Sequence, residues 1–155
     1  MILNGSTHLE AARATVWRFL TDAEAVSQCA PGLESLEIRE PGRKFRAVAS
    51  VGLGSMRARF TMDVEWLELN EPELARMRVH GTASGSTADI TSQIELREST
   101  QGGTDLSWTA DAAIRGPLAS LASRLMGSAA QKVSNDFFEC VRRHVETEAA
   151  EDPSS

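Results

Sequence analysis

Tyrosine is missing from this sequence of 155 residues, and basic residues and long apolar runs are scarce. There are 16 lysines and arginines against 22 acidic residues, which gives a net charge of −6. Nucleic acids and anionic membrane surfaces attract basic proteins, so this balance argues against both as partners. No run of about 18 apolar residues occurs, and we therefore expect no transmembrane segment.

Residues suited to catalysis or metal binding are also few. The only cysteines, Cys29 and Cys140, match no metal or redox motif, and we expect buried free thiols in a reducing cytoplasm. The histidines His8, His80 and His144 have no ligand-forming neighbour at metal-site spacing, and the first two fall on the polar side of predicted strands. Nucleophile motifs are absent as well. We therefore predict no catalytic residue, no metal and no cofactor, and a cytoplasmic location.

The last long segment of the chain has helical spacing. Its apolar residues recur at steps of three, one and four, at Leu118, Leu121, Ala122, Leu125, Met126, Ala129, Val133, Phe137 and Val141. Pro117 suits the first turn of a helix, because its fixed φ matches the helix and its missing N–H costs nothing there. The pattern predicts a helix from Pro117 to Thr147, about 45 Å long. Its apolar stripe needs a surface of similar length to cover it.

The rest of the chain supplies that surface. Residues 2–10 alternate weakly, which predicts a strand, and helical spacing between residues 14 and 29 predicts two short helices. From Leu33 the period becomes two, as expected for an antiparallel meander with one apolar face. The fold class is α+β, with a sheet of about seven strands curved around the long helix. We assign residues 1–147 to this single domain and residues 148–155 to a frayed acidic tail.

Short signatures along the chain match a known family. They are Val16–Asp22, Cys29–Gly32, Val51–Gly54, Gly81–Ser86, Gly102–Leu106, Gly116–Ala119 and Phe137–Phe138. On these motifs the sequence resembles the family of the G subunit of carbon monoxide dehydrogenase. That family belongs to the helix-grip superfamily of START lipid-transfer domains and polyketide cyclases.

The resemblance implies a binding scaffold rather than one fixed function. Members of this family are implicated in helping molybdenum-containing carbon monoxide dehydrogenase. They are thought to bind a hydrophobic molecule such as a quinone, or to link the enzyme to the membrane through a long C-terminal extension. Only ten residues follow Val145 here. The resemblance therefore implies a carrier or accessory role, with a molybdenum hydroxylase-type enzyme as partner.

The candidate ligand site lies between the apolar face of the sheet and the first half of the helix. Small residues there, including Gly127 at a cost of about 1 kcal/mol, either let the sheet approach closely or leave space between helix and sheet. Methionines on the sheet suit an adaptable apolar surface. We predict a site formed by Phe45, Phe60, Met62, Met77, Ile94, Trp108, Leu118, Leu121, Ala122, Leu125, Met126 and Ala129. The second half of the helix, at Val133, Phe137 and Val141, is predicted to pack against the core.

Three functions fit this pattern. The favoured one is a non-catalytic carrier of a hydrophobic small molecule, such as a lipid or quinone. The first alternative is a protein-interaction or assembly factor whose core is filled by its own side chains. The second is a cyclase-like enzyme, which needs a polar group from Arg13, Asp22 or Glu24 to reach the pocket, since the strand alternation provides no general acid or base.

Overall fold

The computed structural model describes the backbone of residues 1–53 and 55–151. The side chains of Leu53, Leu125, Met126 and residues 149–151 lie outside that description. In chain order the elements are β1 (Ile2–Leu9), α1 (Arg13–Thr21), α2 (Ala23–Ser27), β2 (Leu33–Glu40), β3 (Lys44–Leu53), β4 (Met56–Asn70), β5 (Leu74–Ala83), β6 (Ser86–Glu98), β7 (Thr104–Arg115) and α3 (Ala119–Glu151).

Within this part of the chain seven strands form one antiparallel sheet, in the order β1-β7-β6-β5-β4-β3-β2. Consecutive strands from β2 to β7 pair as hairpins, and β1 closes the other edge by pairing with β7. The sheet curls around α3, with α1 and α2 inserted after β1. The predicted α+β architecture is confirmed.

Alternation along the strands separates a polar face from an apolar one. On β4, Ala58 and Val64 are buried, whereas Arg59 and Asp63 are exposed. The exposed face carries cross-strand ion pairs such as Arg46–Asp63 at 2.9 Å. Surface pairs of this kind contribute little stability, so burial of the concave face must provide most of it.

Helix α3 lies across the concave side of the sheet. Its close backbone approaches are mainly to β1, β3, β7 and α1, rather than to the central strands. The main core lies towards its C-terminal end, where Leu9, Val16, Leu106, Val141 and Val145 are at most 1% exposed. A smaller core of Ala58, Ala83 and Leu118 lies towards the start of α3. The helix is thus anchored near both ends.

The hairpin between β5 and β6 packs against the residues that lead into α3. Gly116 has a φ of 95°, and a Cβ there would lie 2.8 Å from both the Gly85 carbonyl oxygen and the Ser86 Cα. The buried Ser86 Oγ accepts a hydrogen bond of 2.8 Å from the Leu118 N–H. Ser86 thus satisfies the N–H of the residue that precedes α3, which starts at Ala119, two residues after the predicted Pro117.

The end of α3 also differs from the predicted boundary. The helix continues to Glu151, four residues past Thr147. On its last turns the Glu148 carboxylate lies 3.3 Å from Arg18 of α1.

The expectation of two free thiols is wrong. Cys29, which follows α2, and Cys140 of α3 form a disulfide, with Cα atoms 5.4 Å apart. They are separated by 111 residues in sequence. Only the packing of the α2 end against α3 brings them together, so their spacing along the chain could not reveal the pair.

The expectation that Val133 packs against the core is also wrong, since Val133 is 39% exposed. Each step of four residues turns about 40° around a helix of 3.6 residues per turn, so Val133 lies about 80° from the fully buried Val141. Ala130 and Ser134, by the same geometry, lie within about 20° of Val141. The face turned towards the sheet is therefore less apolar than the predicted stripe.

Candidate functional site

A cavity of about 550 Å³ lies between the β1 edge of the sheet and the middle of α3. The strand side is formed by Leu3, Asn4, Gly5, Ser6, Thr7 and Trp108. The helix side is formed by Gly127, Ala130, Gln131, Ser134, Asn135, Phe138, Glu139 and Arg142. Small-molecule sites in proteins commonly measure about 300–1,000 Å³, so the volume suits such a ligand.

An aromatic wall forms the apolar part of this cavity. Trp108 of β7 is paired with Gly5 of β1, and a Cβ on Gly5 would lie 2.8 Å from the indole Nε1. Glycine is thus required at position 5 for the indole to lie against the β1 backbone. Trp108 also stacks on Phe138 of α3, with ring centroids 6.4 Å apart, and Phe138 meets Phe137 edge to face at 5.0 Å.

Small residues of α3 keep the space next to this wall open. Gly127 is exposed, and a Cβ placed on it would meet no atom within 4 Å. Ala130, one turn further along, presents only a methyl group to the cavity. A Cβ added at Gly127 would therefore meet open space, and a larger side chain at Ala130 would take up part of the cavity that it lines.

Arg142 closes one end of the cavity by joining α3 to β1. Its Nη2 donates to Thr7 Oγ1 at 2.7 Å and to the His8 carbonyl at 3.0 Å. Its Nη1 donates to Glu139 at 3.1 Å, and its Nε lies 3.7 Å from Glu146. Because all three guanidinium nitrogens are engaged, Arg142 acts as a structural tie rather than as a free cation for a ligand.

Uncommitted hydrogen-bonding groups surround the rest of the cavity. Among the described residues, the side chains of Asn4, Gln131, Ser134 and Asn135 and the indole N–H of Trp108 have no protein hydrogen-bond partner. Amide, hydroxyl and indole groups can donate to a carbonyl or ether oxygen. The arrangement suits an amphipathic molecule with an apolar ring or chain and one or more oxygen acceptors.

Of the six predicted strand residues, Trp108 lines this cavity and the other five do not. Trp108 lines it directly, and Ile94, its cross-strand partner, packs against the main core. Phe60 and Met62 of β4 approach the position of a Gly81 Cβ at 3.4 and 3.3 Å. Met77 of β5 pairs with Trp66 and is half-buried. Phe45 lines a separate recess of about 280 Å³ beside α2.

The predicted helix residues lie mainly in core contacts. Leu118, Leu121 and Ala129 pack in the smaller core together with Phe60. Ala122 is 2% exposed. The side chains of Leu125 and Met126 lie outside the described residues. The predicted twelve-residue site as a whole stays a prediction. Trp108 is the member of it that lines the cavity described above.

Sequence reasoning missed Ala130, Ser134 and Phe138 because it followed apolar residues along α3. An ideal helix places residues 127, 130, 134 and 138 on one face. That face contains a glycine, an alanine, a serine and a phenylalanine. A search for small and polar residues at helical spacing, rather than for an apolar stripe, could have found it.

Arg13, Asp22 and Glu24, proposed as candidates for an enzyme, have structural contacts away from the cavity. Asp22 Oδ1 accepts from the Glu24 and Ala25 N–H groups and caps α2. Arg13 lies 3.8 Å from Glu98, and its Nε is buried without a partner in the described structure. None of the three lines the cavity beside Trp108.

The histidines on the strands are held by carboxylates on the polar face, as their alternation predicts. His8 Nδ1 lies 2.8 Å from Asp105, and its Nε2 lies 2.7 Å from Glu10. Hydrogen bonding to Asp105, and then to Glu10, raises the pKa of His8 above its usual value. His80 Nδ1 lies 2.6 Å from Asp89.

The expectation that no histidine has a metal-ligand neighbour is wrong for His144. Cys140 precedes it by four residues, one turn of α3, and Cys29 brings a second sulfur to the same place. The spacing from Cys140 to His144 was visible in the sequence. The contribution of Cys29 was not, because it depends on the tertiary fold.

Together, the curled seven-stranded sheet and the long C-terminal helix define a helix-grip fold. The chain belongs to the CoxG family, named for the G subunit of carbon monoxide dehydrogenase, and the family model matches residues 5–146. No curated protein matches the sequence significantly. Among the helices that the structure describes, none is both long and apolar enough to cross a membrane.

Solved structures with low sequence identity share the fold. A conserved protein from Geobacillus kaustophilus is 24% identical, with a TM-score of 0.87, over 95% of this chain and 96% of its own. The Zhui aromatase/cyclase from Streptomyces sp. R1128 is 15% identical, with a TM-score of 0.73, over 94% and 93%. A START superfamily protein from Mycobacterium smegmatis is 14% identical, with a TM-score of 0.70, over 94% and 97%.

Proposed function

We propose that this protein binds an amphipathic small molecule, quinone-like or lipid-like, in the cavity between β1, β7 and α3. The observation that carries the proposal is the pairing of the Trp108 and Phe138 wall with uncommitted hydrogen-bonding groups in a volume of about 550 Å³. Apolar walls with a few polar groups that orient the ligand are typical of small-molecule sites.

The chemistry of the lining favours a ring or chain that carries oxygen acceptors. The aromatic wall offers stacking, and the open space beside Gly127 and Ala130 admits a ring or a chain. Gln131 and Asn135 can then donate amide hydrogens to carbonyl oxygens on the ligand. A purely aliphatic molecule would leave these polar groups desolvated and unpaired, which costs free energy.

A carrier role is favoured over catalysis. The carboxylate in the lining, Glu139, is exposed and is paired with Arg142 at 3.1 Å. General acid–base catalysis needs a positioned group that can exchange a proton with the substrate. The cavity also argues against the alternative of an assembly factor with a filled core.

Family membership supports the partner proposed for this carrier. CoxG proteins are named for carbon monoxide dehydrogenase, and we propose a molybdenum hydroxylase-type enzyme of that kind as the partner. A cytoplasmic location remains part of the proposal. The free thiols expected from the sequence no longer support it, because Cys29 and Cys140 form a disulfide. In a reducing cytoplasm the Cys29–Cys140 pair would spend time as thiols.

Native mass spectrometry tests ligand binding even while the ligand is unidentified. Protein purified gently from its host should carry a bound molecule, and the empty form should take up one short-chain ubiquinone or one palmitate per chain. A protein that is isolated empty and takes up neither probe would contradict the proposal.

A pull-down from host extract tests the partner. Both Ala130→Phe, which fills the cavity, and Val133→Phe, on the exposed side of α3, should be compared with wild type. If Ala130→Phe no longer recovers the redox enzyme while Val133→Phe still does, the result supports a ligand-dependent carrier. Equal recovery by both variants supports an assembly factor instead.

A further inference from the structure

Three side chains that can bind metals meet where the end of α2 packs against α3. Cys29 follows α2, and Cys140 and His144 lie one turn apart on α3. Their potential ligand atoms all lie within 4.8 Å of one another. None of the three lines the cavity beside Trp108, so this cluster is separate from the proposed ligand site.

We propose that reduction of the Cys29–Cys140 disulfide creates a binding site for a thiophilic divalent cation such as Zn²⁺. The ligands are the thiolates of Cys29 and Cys140 and the imidazole of His144. Zinc prefers four tetrahedral ligands of this sulfur and nitrogen type. Three protein ligands leave the fourth position to water or to an external group.

The geometry requires only side-chain adjustment. With bond lengths of about 2.3 Å to sulfur and about 2.1 Å to nitrogen, tetrahedral ligand atoms are about 3.5–3.8 Å apart. The cysteine Cα atoms are 5.4 Å apart, and their sulfurs can separate to the required distance by rotation about χ1. Side chains four residues apart point to the same side of a helix, so Cys140 and His144 can share one ion.

The surroundings hold the three ligands in place. Cys29 is 4% exposed and belongs to the main core with Val141 and Val145. The His144 ring stacks on Phe19, with centroids 5.2 Å apart and planes inclined by 25°. An open recess of about 470 Å³ beside His144 gives an ion access from solvent.

The redox chemistry balances with a dithiol as reductant. The dithiol transfers two electrons and two protons to the disulfide and becomes a cyclic disulfide, while Cys29 and Cys140 become thiols. Metal binding then releases the two thiol protons to the buffer. In the oxidised form the sulfurs are bonded to each other and only His144 remains as a ligand, so the ion is bound only after reduction.

The consequence is a crosslink between the segment that follows α2 and α3 in two redox states. Under oxidising conditions it is the disulfide, and under reducing conditions it is the metal bridge. Both tie the region after α2 to the same turn of α3 and preserve the main core there.

Cobalt(II) titration of the reduced, desalted full-length protein tests the site, because thiolate–cobalt bonds give a charge-transfer absorption band. We expect one Co²⁺ per chain, displacement by Zn²⁺, and no band from the oxidised protein. His144→Ala keeps both thiols and should weaken Co²⁺ binding by about tenfold or more. His80→Ala, on the opposite face of the sheet, should bind as wild type does.

Three results would overturn the proposal. One is a reduced wild-type protein that shows no thiolate–cobalt band at one equivalent. Another is a His144→Ala variant whose affinity equals that of wild type, since His144 would then not be a ligand. The third is a Cys29→Ala variant that retains the full band.

Discussion

Trp108 of β7 and Phe138 of α3 stack with ring centroids 6.4 Å apart and planes inclined by 28°. This contact joins the edge of the sheet to the middle of the long helix and forms the aromatic wall of the cavity. Phe137, the preceding residue, meets Phe138 edge to face, and both phenylalanines pack against the main core. Of the two, Phe138 lines the cavity and Phe137 does not, so we expect their variants to differ in their effect on ligand binding.

Replacement of Phe138 by alanine should weaken ligand binding. An aromatic contact contributes about 0.5–1.5 kcal/mol beyond its buried area, so we expect an affinity loss of about tenfold. Isothermal titration with short-chain ubiquinone measures it. Unchanged affinity in a folded Phe138→Ala protein would show that the ligand does not contact this wall.

Replacement of Phe137 by alanine should mainly lower stability. Large aromatic truncations in cores cost about 3–5 kcal/mol, and we expect the lower end because Phe137 is only half-buried. Urea unfolding gives the change in unfolding free energy, and ligand affinity serves as the control. A harmless Phe137→Ala change would refute the idea that this part of α3 anchors the fold.

Loss of the disulfide should destabilise the oxidised protein. The crosslink joins residues 111 apart, and closing so long a loop restricts the unfolded chain. We expect the Cys29→Ala/Cys140→Ala double variant to lose about 2–4 kcal/mol of unfolding free energy. The comparison should be made with a chelator present, so that no metal bridge contributes. Equal stability of the two proteins would contradict the prediction.

His8 should make stability depend on pH. Its pKa is raised in the folded state, chiefly by the hydrogen bond to Asp105, above the usual 6.5. A raised folded-state pKa stabilises the protein below the unfolded-state pKa, and this contribution disappears as the pH rises through the folded value. His8→Gln should therefore be less stable than wild type at about pH 5.5 and equal to it at about pH 9.

Titration of His8 by nuclear magnetic resonance checks the cause of this effect. The midpoint should lie above 6.5 in wild type and fall in Asp105→Ala, which removes the hydrogen bond that raises the pKa most. A midpoint at or below the ordinary value in wild type would remove the basis for the pH prediction.

The sheet could be predicted because its signal is local. Alternation of buried and exposed residues, as at Ala58, Arg59 and Val64 on β4, is readable from neighbouring positions. The pairing of β1 with β7 and the Cys29–Cys140 disulfide are not local, since they join distant parts of the chain. Periodicity alone contains no information about such contacts.

The candidate site was harder to predict than the fold. Apolar residues at helical spacing, such as Leu118 and Leu121, proved to lie in core contacts. The cavity instead lies beside Ala130 and Ser134, which an apolar pattern does not select. A binding cavity needs small side chains and a few free polar groups, and these are common on ordinary exposed helix faces.

The most direct test of ligand binding is the indole N–H resonance of Trp108, followed by nuclear magnetic resonance during titration with short-chain ubiquinone. The Trp108 signal should shift and saturate at one equivalent in wild type and in Val133→Phe, and should not shift in Ala130→Phe. Trp17 lies in the main core and should stay unchanged. A shift confined to Trp66, beside Met77, or an unaltered Trp108 response in Ala130→Phe, would contradict binding in this cavity.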